Sequence, residues 1–159
     1  MTEITTNSVS PGDADEAPLA PQPPVLYQIN SRDGKRVLCP SAPADDQAIL
    51  LGVVQPDDSV SFLKDKIRVT REFLELASRA GLPERHFRFS SPCVGASCRQ
   101  WASGKCSLPE RLGAFVPSST LTRDDLPDCS IRDDCRWFNQ SGPDICRVCP
   151  LVITRSEPI

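Results

Sequence analysis

The chain has 159 residues, a formal net charge of −3, a pI near 5.2 and eight cysteines. That length allows one ordinary domain, or a small core joined to a cysteine-rich part. Basic and acidic residues are equal in number from residue 90 to residue 150, so the basic surface of a nucleic-acid-binding protein is not expected. No apolar run approaches the roughly 18 residues of a membrane-spanning helix, so no membrane association is expected either.

The first 24 residues combine five prolines with several acidic residues and few bulky apolar ones. Such a segment cannot bury enough apolar surface to offset its chain entropy, so residues 1–24 are predicted to be a disordered tail. The segment also lacks the cationic start and apolar stretch of a secretory signal, which favours a cytoplasmic location. Thiols are kept reduced there, so the cysteines indicate metal ligands ahead of disulfides. The remaining alternatives are a disulfide-rich exported domain and structural or redox thiols that bind no metal.

Residues 25–89 predict two β-hairpins and one helix. The first hairpin pairs VLYQI (25–29) with RVLCP (36–40), and the second pairs AILLGVV (48–54) with SVSFL (59–63). A helix is expected within residues 69–83, with Thr70 as its N-cap and Gly81 and Pro83 ending it. The predicted class is therefore α+β, a small hairpin-rich sheet with one helix. A helical cysteine-rich metal or cluster module follows at 90–153, with a short tail at 154–159.

Most of the cysteines lie in two similar units, at residues 93–106 and 129–146. In each unit a cysteine is followed after four or five residues by Cys-Arg, then by a nearby tryptophan, Ser-Gly and a further cysteine. We expect one short helix per unit. Ser91 and Pro92 would begin the first helix and Gly104 would end it, while Ser130 would cap the second and Gly142 would end it.

The spacing groups the thiols into two candidate ligand sets. A four-thiolate site needs sulfurs delivered from several turns of chain to one point, and the second unit with the nearby Cys149 supplies four. The first unit supplies three, and Cys39, which precedes a proline as Cys149 does, is the candidate fourth. We call these the downstream set, Cys129, Cys135, Cys146 and Cys149, and the upstream set, Cys39, Cys93, Cys98 and Cys106.

The residues beside the thiols favour an anionic metal centre. A four-thiolate zinc or [4Fe–4S] site carries about −2, and the adjacent cations Arg99, Arg136 and Arg147 would help to keep its thiols deprotonated. Trp101 and Trp137 are interpreted first as ordinary core aromatics, and as candidates to shield such a centre from water second. Zinc ribbons usually show two close C-x₂-C pairs and this chain has one, whereas the ending Cys-Arg-Val-Cys-Pro resembles the end of the bacterial ferredoxin cysteine run. An iron–sulfur cluster, of the 4Fe–4S type, is therefore favoured over zinc.

A self-contained enzyme is not expected. The single histidine, His86, is interpreted as a packing or surface residue, and the chain has no phosphate-binding loop, dinucleotide fingerprint or HExxH motif. The predicted function is iron–sulfur cluster binding in electron transfer or redox sensing, as an accessory to a larger protein partner. The alternative is a zinc-stabilised protein-interaction module without redox activity.

Overall fold

The computed structural model describes residues 37–114 and 122–154. Its central feature is a four-stranded antiparallel sheet with strand order β1-β4-β2-β3. The strands are β1 Leu38–Ala42, β2 Ile49–Val54, β3 Val60–Arg68 and β4 Phe87–Pro92. The helices are α1 Arg71–Ser78, α2 Leu108–Gly113, α3 Arg136–Ser141 and α4 Ile145–Val148, and a small hairpin is formed by β5 Trp101–Ala102 and β6 Lys105–Cys106. The expected α+β class is confirmed at this level.

Several expectations fall on residues outside the described ranges. They are the tail at 1–24, the strand at 25–29 with the turn after it, and the end of the chain from residue 155. Among the described residues, no helix combines the length and the apolar character that crossing a membrane requires.

The second predicted hairpin and the first predicted helix are confirmed. β2 and β3 pair antiparallel, with Val54 opposite Val60 at the turn. The Thr70 hydroxyl accepts a hydrogen bond from the Phe73 amide at 3.2 Å, which is the expected N-cap. The helix is shorter than predicted, since it ends at Ser78 and Gly81 lies in the following turn with φ of +112°.

The helix predicted to begin at Ser91 and Pro92 is wrong. These residues end β4, where Cys39 of β1 lies opposite Ser91, so their backbone belongs to the sheet. A single 3₁₀ turn, Gly95–Ser97, follows, and then the β5–β6 hairpin turns at Gly104 with φ of +78°. Sheet pairing with a distant strand has outweighed the local cap signal.

The second predicted helix is correct in its end and wrong in its start. A 3₁₀ turn at Arg132–Asp134 comes first and α3 begins only at Arg136. The Ser130 hydroxyl is buried without a hydrogen-bond partner in the described structure, so it does not cap the helix. Gly142, with φ of +76°, ends α3 as expected.

The sheet packs different layers on its two faces. On one face Val69 and Phe89 pack with Phe73 and Leu74 of α1. On the other face the side chains pack against the cysteine-rich part of the chain, and that core contains Leu38, Ile49, Leu51, Ile131, Trp137 and Ile145. β4 also runs across the expected boundary between residues 89 and 90. The division into a core at 25–89 and a module at 90–153 remains a prediction.

Gly52 lies at an irregularity in the pairing of β2 with both its neighbours. A Cβ at this position would lie 2.6 Å from the Ser61 carbonyl oxygen and 2.8 Å from Val60 Cγ1. Backbone atoms of a central sheet cannot move away cheaply, so glycine is required for this close approach.

We expect Gly52→Ala to lower the free energy of unfolding by about 1–3 kcal/mol, because the added methyl group overpacks the sheet. Gly113→Ala is the matched control, since a Cβ there meets nothing within 4 Å. It should leave stability unchanged or raise it by up to about 1 kcal/mol through reduced chain entropy. Urea unfolding of both variants measures the difference, and equal midpoints would show that the strand can shift to admit the methyl group.

Candidate metal centre

All eight cysteines lie within the described ranges, and all are free thiols. They line two separate pockets. One contains the whole upstream set and the other contains the whole downstream set. Each set has two buried and two half-buried cysteines. The residue groups inferred from spacing are therefore the groups that share a pocket.

The upstream set is assembled by strand pairing around a cavity. Cys39 lies on β1, and Cys93 follows β4, where its amide donates to the Val37 carbonyl at 2.8 Å. Cys98 closes the 3₁₀ turn after β4 and Cys106 ends β6. The cavity beside these thiols measures about 270 Å³, taken as the space open to the centre of a water molecule.

One side chain of α3 fixes the position of Cys106. The Gln140 amide oxygen accepts from the Cys106 N–H at 3.1 Å, and the Gln140 amide nitrogen donates to the Cys106 carbonyl at 2.7 Å. Both backbone polar groups of this buried cysteine are thereby satisfied by one residue of the downstream unit. The β5–β6 hairpin, which carries Cys106, is thereby hydrogen-bonded to α3.

The downstream set is held against both edge strands of the sheet. The Ser130 amide donates to the Leu63 carbonyl at 3.0 Å, which places Cys129 beside β3. Cys135 forms a parallel bridge with Leu38 of β1, and Cys146 and Cys149 lie in and just after α4. Their pocket is narrow, with about 20 Å³ open to the centre of a water molecule, and its walls are mainly apolar.

Backbone amides are directed at the sulfurs of five of these cysteines. The Gln100 amide lies 3.4 Å from the Cys98 sulfur. In the same way the amide two residues further along the chain donates to the sulfur of Cys39, Cys106, Cys129 and Cys135. N–H groups that converge on sulfur stabilise its anionic form and tune the potential of metal–thiolate centres.

Burial disfavours the anionic form of the thiols while no metal is bound. It raises the pKa of Cys39 to about 11 and that of Cys149 to about 12, and it raises the pKa of Cys135 further. Neighbouring thiolates add to the rise, since Cys93, Cys106 and Cys98 act on Cys39, while Cys129, Cys146 and Cys39 act on Cys149. Thiols within a set are therefore within electrostatic reach of one another, and Cys39 and Cys149 are within reach across the two sets.

A buried arginine contacts Cys149 of the downstream set and the residue that follows Cys39 of the upstream set. Arg88 of β4 is 1% exposed, donates through Nε to the Pro40 carbonyl, and has Nη2 3.7 Å from the Cys149 sulfur. Its guanidinium carbon is 5.8 Å from the centre of the Trp137 ring. Burial lowers the pKa of Arg88, whereas Cys149, Cys39, Cys135 and Cys129 all raise it.

Of the other residues predicted to surround the metal, some line a pocket and some lie away from both pockets. Arg136 and Trp101 line the upstream cavity, with the guanidinium carbon 5.1 Å from the centre of the indole ring. Trp137 is 1% exposed and borders both pockets. Arg99 and Arg147 are exposed and line neither pocket. His86 is also exposed, with its ring against Phe87, as expected for a surface residue.

Two site residues were not foreseen from the sequence. Arg88 follows Phe87 and precedes Phe89 on β4, and the strand alternation puts it on the face towards the cysteines. Arg132, in the 3₁₀ turn before α3, donates a hydrogen bond to the Cys146 sulfur and lines the downstream pocket. The alternation FRFS is the one signal that could have identified Arg88.

The donor sets fit a thiolate-bound group in kind and number. Four sulfurs, several N–H donors and at least one nearby guanidinium surround each pocket. Within the described residues, however, no three Cys, His, Asp or Glu side chains converge closely enough to hold a single metal ion.

No known protein family, curated protein or solved structure matches this chain. The chemistry of the two pockets is therefore the basis for assigning a function.

The raised thiol pKa values predict slow alkylation in the metal-free folded protein. At about pH 8 only the thiolate reacts, so iodoacetamide should modify Cys39 and Cys149 much more slowly than in denaturant. As the pH rises, both cysteines should become more reactive, because burial holds the pKa of each well above its ordinary value. Peptide mass spectrometry measures each rate. Equal rates at both cysteines in folded and denatured protein would contradict the burial described here.

Proposed function

We propose that this protein binds iron–sulfur clusters, of the 4Fe–4S type, through its upstream and downstream cysteine sets. The observation that carries the proposal is that each set of four thiols lines its own pocket. Backbone N–H groups directed at five of the sulfurs support it, since such donors accompany thiolates that carry charge. Neither set needs a ligand from outside the chain.

The spacing of the thiols favours a cluster over a single zinc ion. Zinc binds sulfur at about 2.3 Å, so four zinc ligands must approach one another to within about 4 Å. The thiols in the described structure do not converge in this way, and the upstream cavity of about 270 Å³ leaves room for a larger group. Room beside the thiols is what a cluster with several metal ions requires.

The downstream pocket supports a second candidate, a zinc ion with a structural role. Its open space of about 20 Å³ is close to that of one water molecule, which suits an ion better than a cluster. Zinc there would replace the apolar core that α3 and α4 are too short to form. In that case the protein would be a zinc-stabilised interaction module at this end, without redox activity.

A bound cluster would supply one-electron redox chemistry, and the chain's own residues would set its conditions. Trp137 is buried beside both pockets, the backbone amides donate to the sulfurs, and Arg88, Arg132 and Arg136 place positive charge nearby. We propose electron transfer or redox sensing in the cytoplasm, as an accessory to a larger protein partner. The balanced charge of the cysteine-rich part favours a protein over nucleic acid as that partner.

Metal analysis of anaerobically purified protein tests the proposal directly. We expect a brown protein with broad absorption near about 400 nm, as thiolate-bound clusters give, and iron and acid-labile sulfide in equal amounts. A colourless protein that contains zinc would support the second candidate. A protein without bound iron or zinc would exclude both.

Single substitutions should empty the two sets independently. We expect Cys39→Ser to halve the bound metal and leave the downstream centre, and Cys149→Ser to remove the downstream centre and loosen α3 and α4, because such sites provide folding free energy. Leu151→Ser is the matched control, since it introduces the same residue next to the downstream set at a position that is 67% exposed. It should retain all metal.

Metal stoichiometry and far-ultraviolet circular dichroism measure these effects. Full metal content in Cys39→Ser would remove Cys39 from the upstream set. Full content in Cys149→Ser, with unchanged melting, would contradict the downstream centre.

A further inference from the structure

Arg88 is a buried cation whose contacts are all uncharged in the metal-free chain. Its hydrogen bonds go to the carbonyls of Pro40 and Cys149 and to the Cys149 sulfur. Within residues 37–114 and 122–154, the ion pairs involve other cations, and no carboxylate pairs with Arg88. A guanidinium stays protonated in proteins, so its charge is buried at 1% exposure without a fixed counter-charge.

The position of Arg88 relates it to both cysteine sets. The Pro40 carbonyl that it binds follows directly after Cys39 of the upstream set. Cys149, which it contacts through both the sulfur and the carbonyl, belongs to the downstream set. The guanidinium also lies over the ring of Trp137, a residue that borders both pockets. Arg88 is thus in contact with one ligand of the downstream set and with the neighbour of one upstream ligand.

A buried charge without a partner is strongly destabilising, whereas the same charge between two anions is stabilised by both. A four-thiolate centre in either pocket would carry about −2 and would supply the missing counter-charge. Two such centres on either side of one guanidinium would share it. Removal of that charge should therefore weaken both centres together.

We propose that Arg88 is the shared counter-cation of the two centres, a positioning residue that makes metal binding in each set depend on one positive charge. This inference rests on the proposed function, because it needs a thiolate-bound metal in both pockets. The other cations near the thiols lack this arrangement. Arg132 hydrogen-bonds to the Cys146 sulfur and the Pro127 carbonyl and also acts on Cys129, all on the downstream side, and Arg136 lies over Trp101 in the upstream cavity.

Cobalt(II) is a suitable probe, because it occupies four-thiolate sites and gives thiolate-to-metal charge-transfer absorption. Reduced, metal-free protein is titrated with Co²⁺ under anaerobic conditions against a competing chelator. Cys98→Ser leaves only the downstream set to be measured, and Cys146→Ser leaves only the upstream set. In each of these two backgrounds the affinity is determined with Arg88 intact and with the substitutions Arg88→Met, Arg88→Gln and Arg88→Lys.

We expect wild-type protein to bind two Co²⁺ ions, one per set, with the four thiols of each set drawn closer together than they lie in the metal-free chain. Arg88→Met and Arg88→Gln should weaken both sets by roughly 10- to 100-fold, the usual effect of losing a residue that supports metal ligands. Arg88→Lys should restore much of the affinity at both, because it keeps the charge. Arg132→Met is the control, and should weaken the downstream set alone.

The outcomes separate this inference from the proposed function. If wild-type protein binds two Co²⁺ ions and the neutral Arg88 variants weaken only one set or neither, Arg88 is not a shared counter-cation. If wild-type protein binds no Co²⁺, there are no two centres for Arg88 to share and the inference is overturned. If it also contains no metal when purified, the proposed function fails as well.

Folding of the variants gives a further outcome. If neither neutral variant folds with Co²⁺ present while Arg88→Lys folds and fills both sets, the positive charge is required and the inference stands. If Arg88→Lys also fails to fold, the shape of the guanidinium rather than its charge holds this core together, and the inference is overturned.

Discussion

The charge of Arg88 lies on the face of the sheet that the cysteine-rich part of the chain covers, and it limits which groups can pack there. Arg88 is on β4, opposite Gly52 of the neighbouring strand β2, and points into the layer formed by the cysteine-rich part of the chain. Apolar side chains alone would leave that charge unsolvated. The layer instead brings sulfur atoms, carbonyl oxygens and an indole ring to the guanidinium, so the polarity of one strand position determines what can cover this face.

The two faces of the sheet illustrate different ways to stabilise a small protein. Towards α1 the contacts are aromatic and aliphatic, with Phe73 and Phe87 in an edge-on arrangement and their ring centres 5.1 Å apart. Towards the cysteines the helices have only four or six residues, too few for a helix that is stable by itself. Their apolar contacts centre on Trp137 and Ile145, and the thiols occupy the positions that a larger protein would fill with aliphatic side chains.

The sequence was most informative where local chemistry decided the structure. Alternation of apolar residues with a clear turn identified the β2–β3 hairpin, and Thr70 identified the start of α1. The sequence was misleading where pairing with a distant segment determined the structure, since Ser91 and Pro92 look like a helix start but pair with β1. The grouping of the thiols followed from spacing, whereas Arg88 could not be identified, because one arginine in a strand is usually exposed and its burial depends on residues from distant segments of the chain.

The two cysteine sets close loops of very different length. The downstream thiols come from a single short stretch after residue 128. The upstream set joins Cys39, on the edge strand β1, to three cysteines that come after β4 in the chain. A metal bound there would enclose the whole sheet in one covalently continuous ring, and a cross-link that closes a long loop removes more unfolded-state entropy than one that closes a short loop. Loss of the upstream centre would therefore remove a constraint on the edge strand β1. Loss of the downstream centre would loosen only α3 and α4.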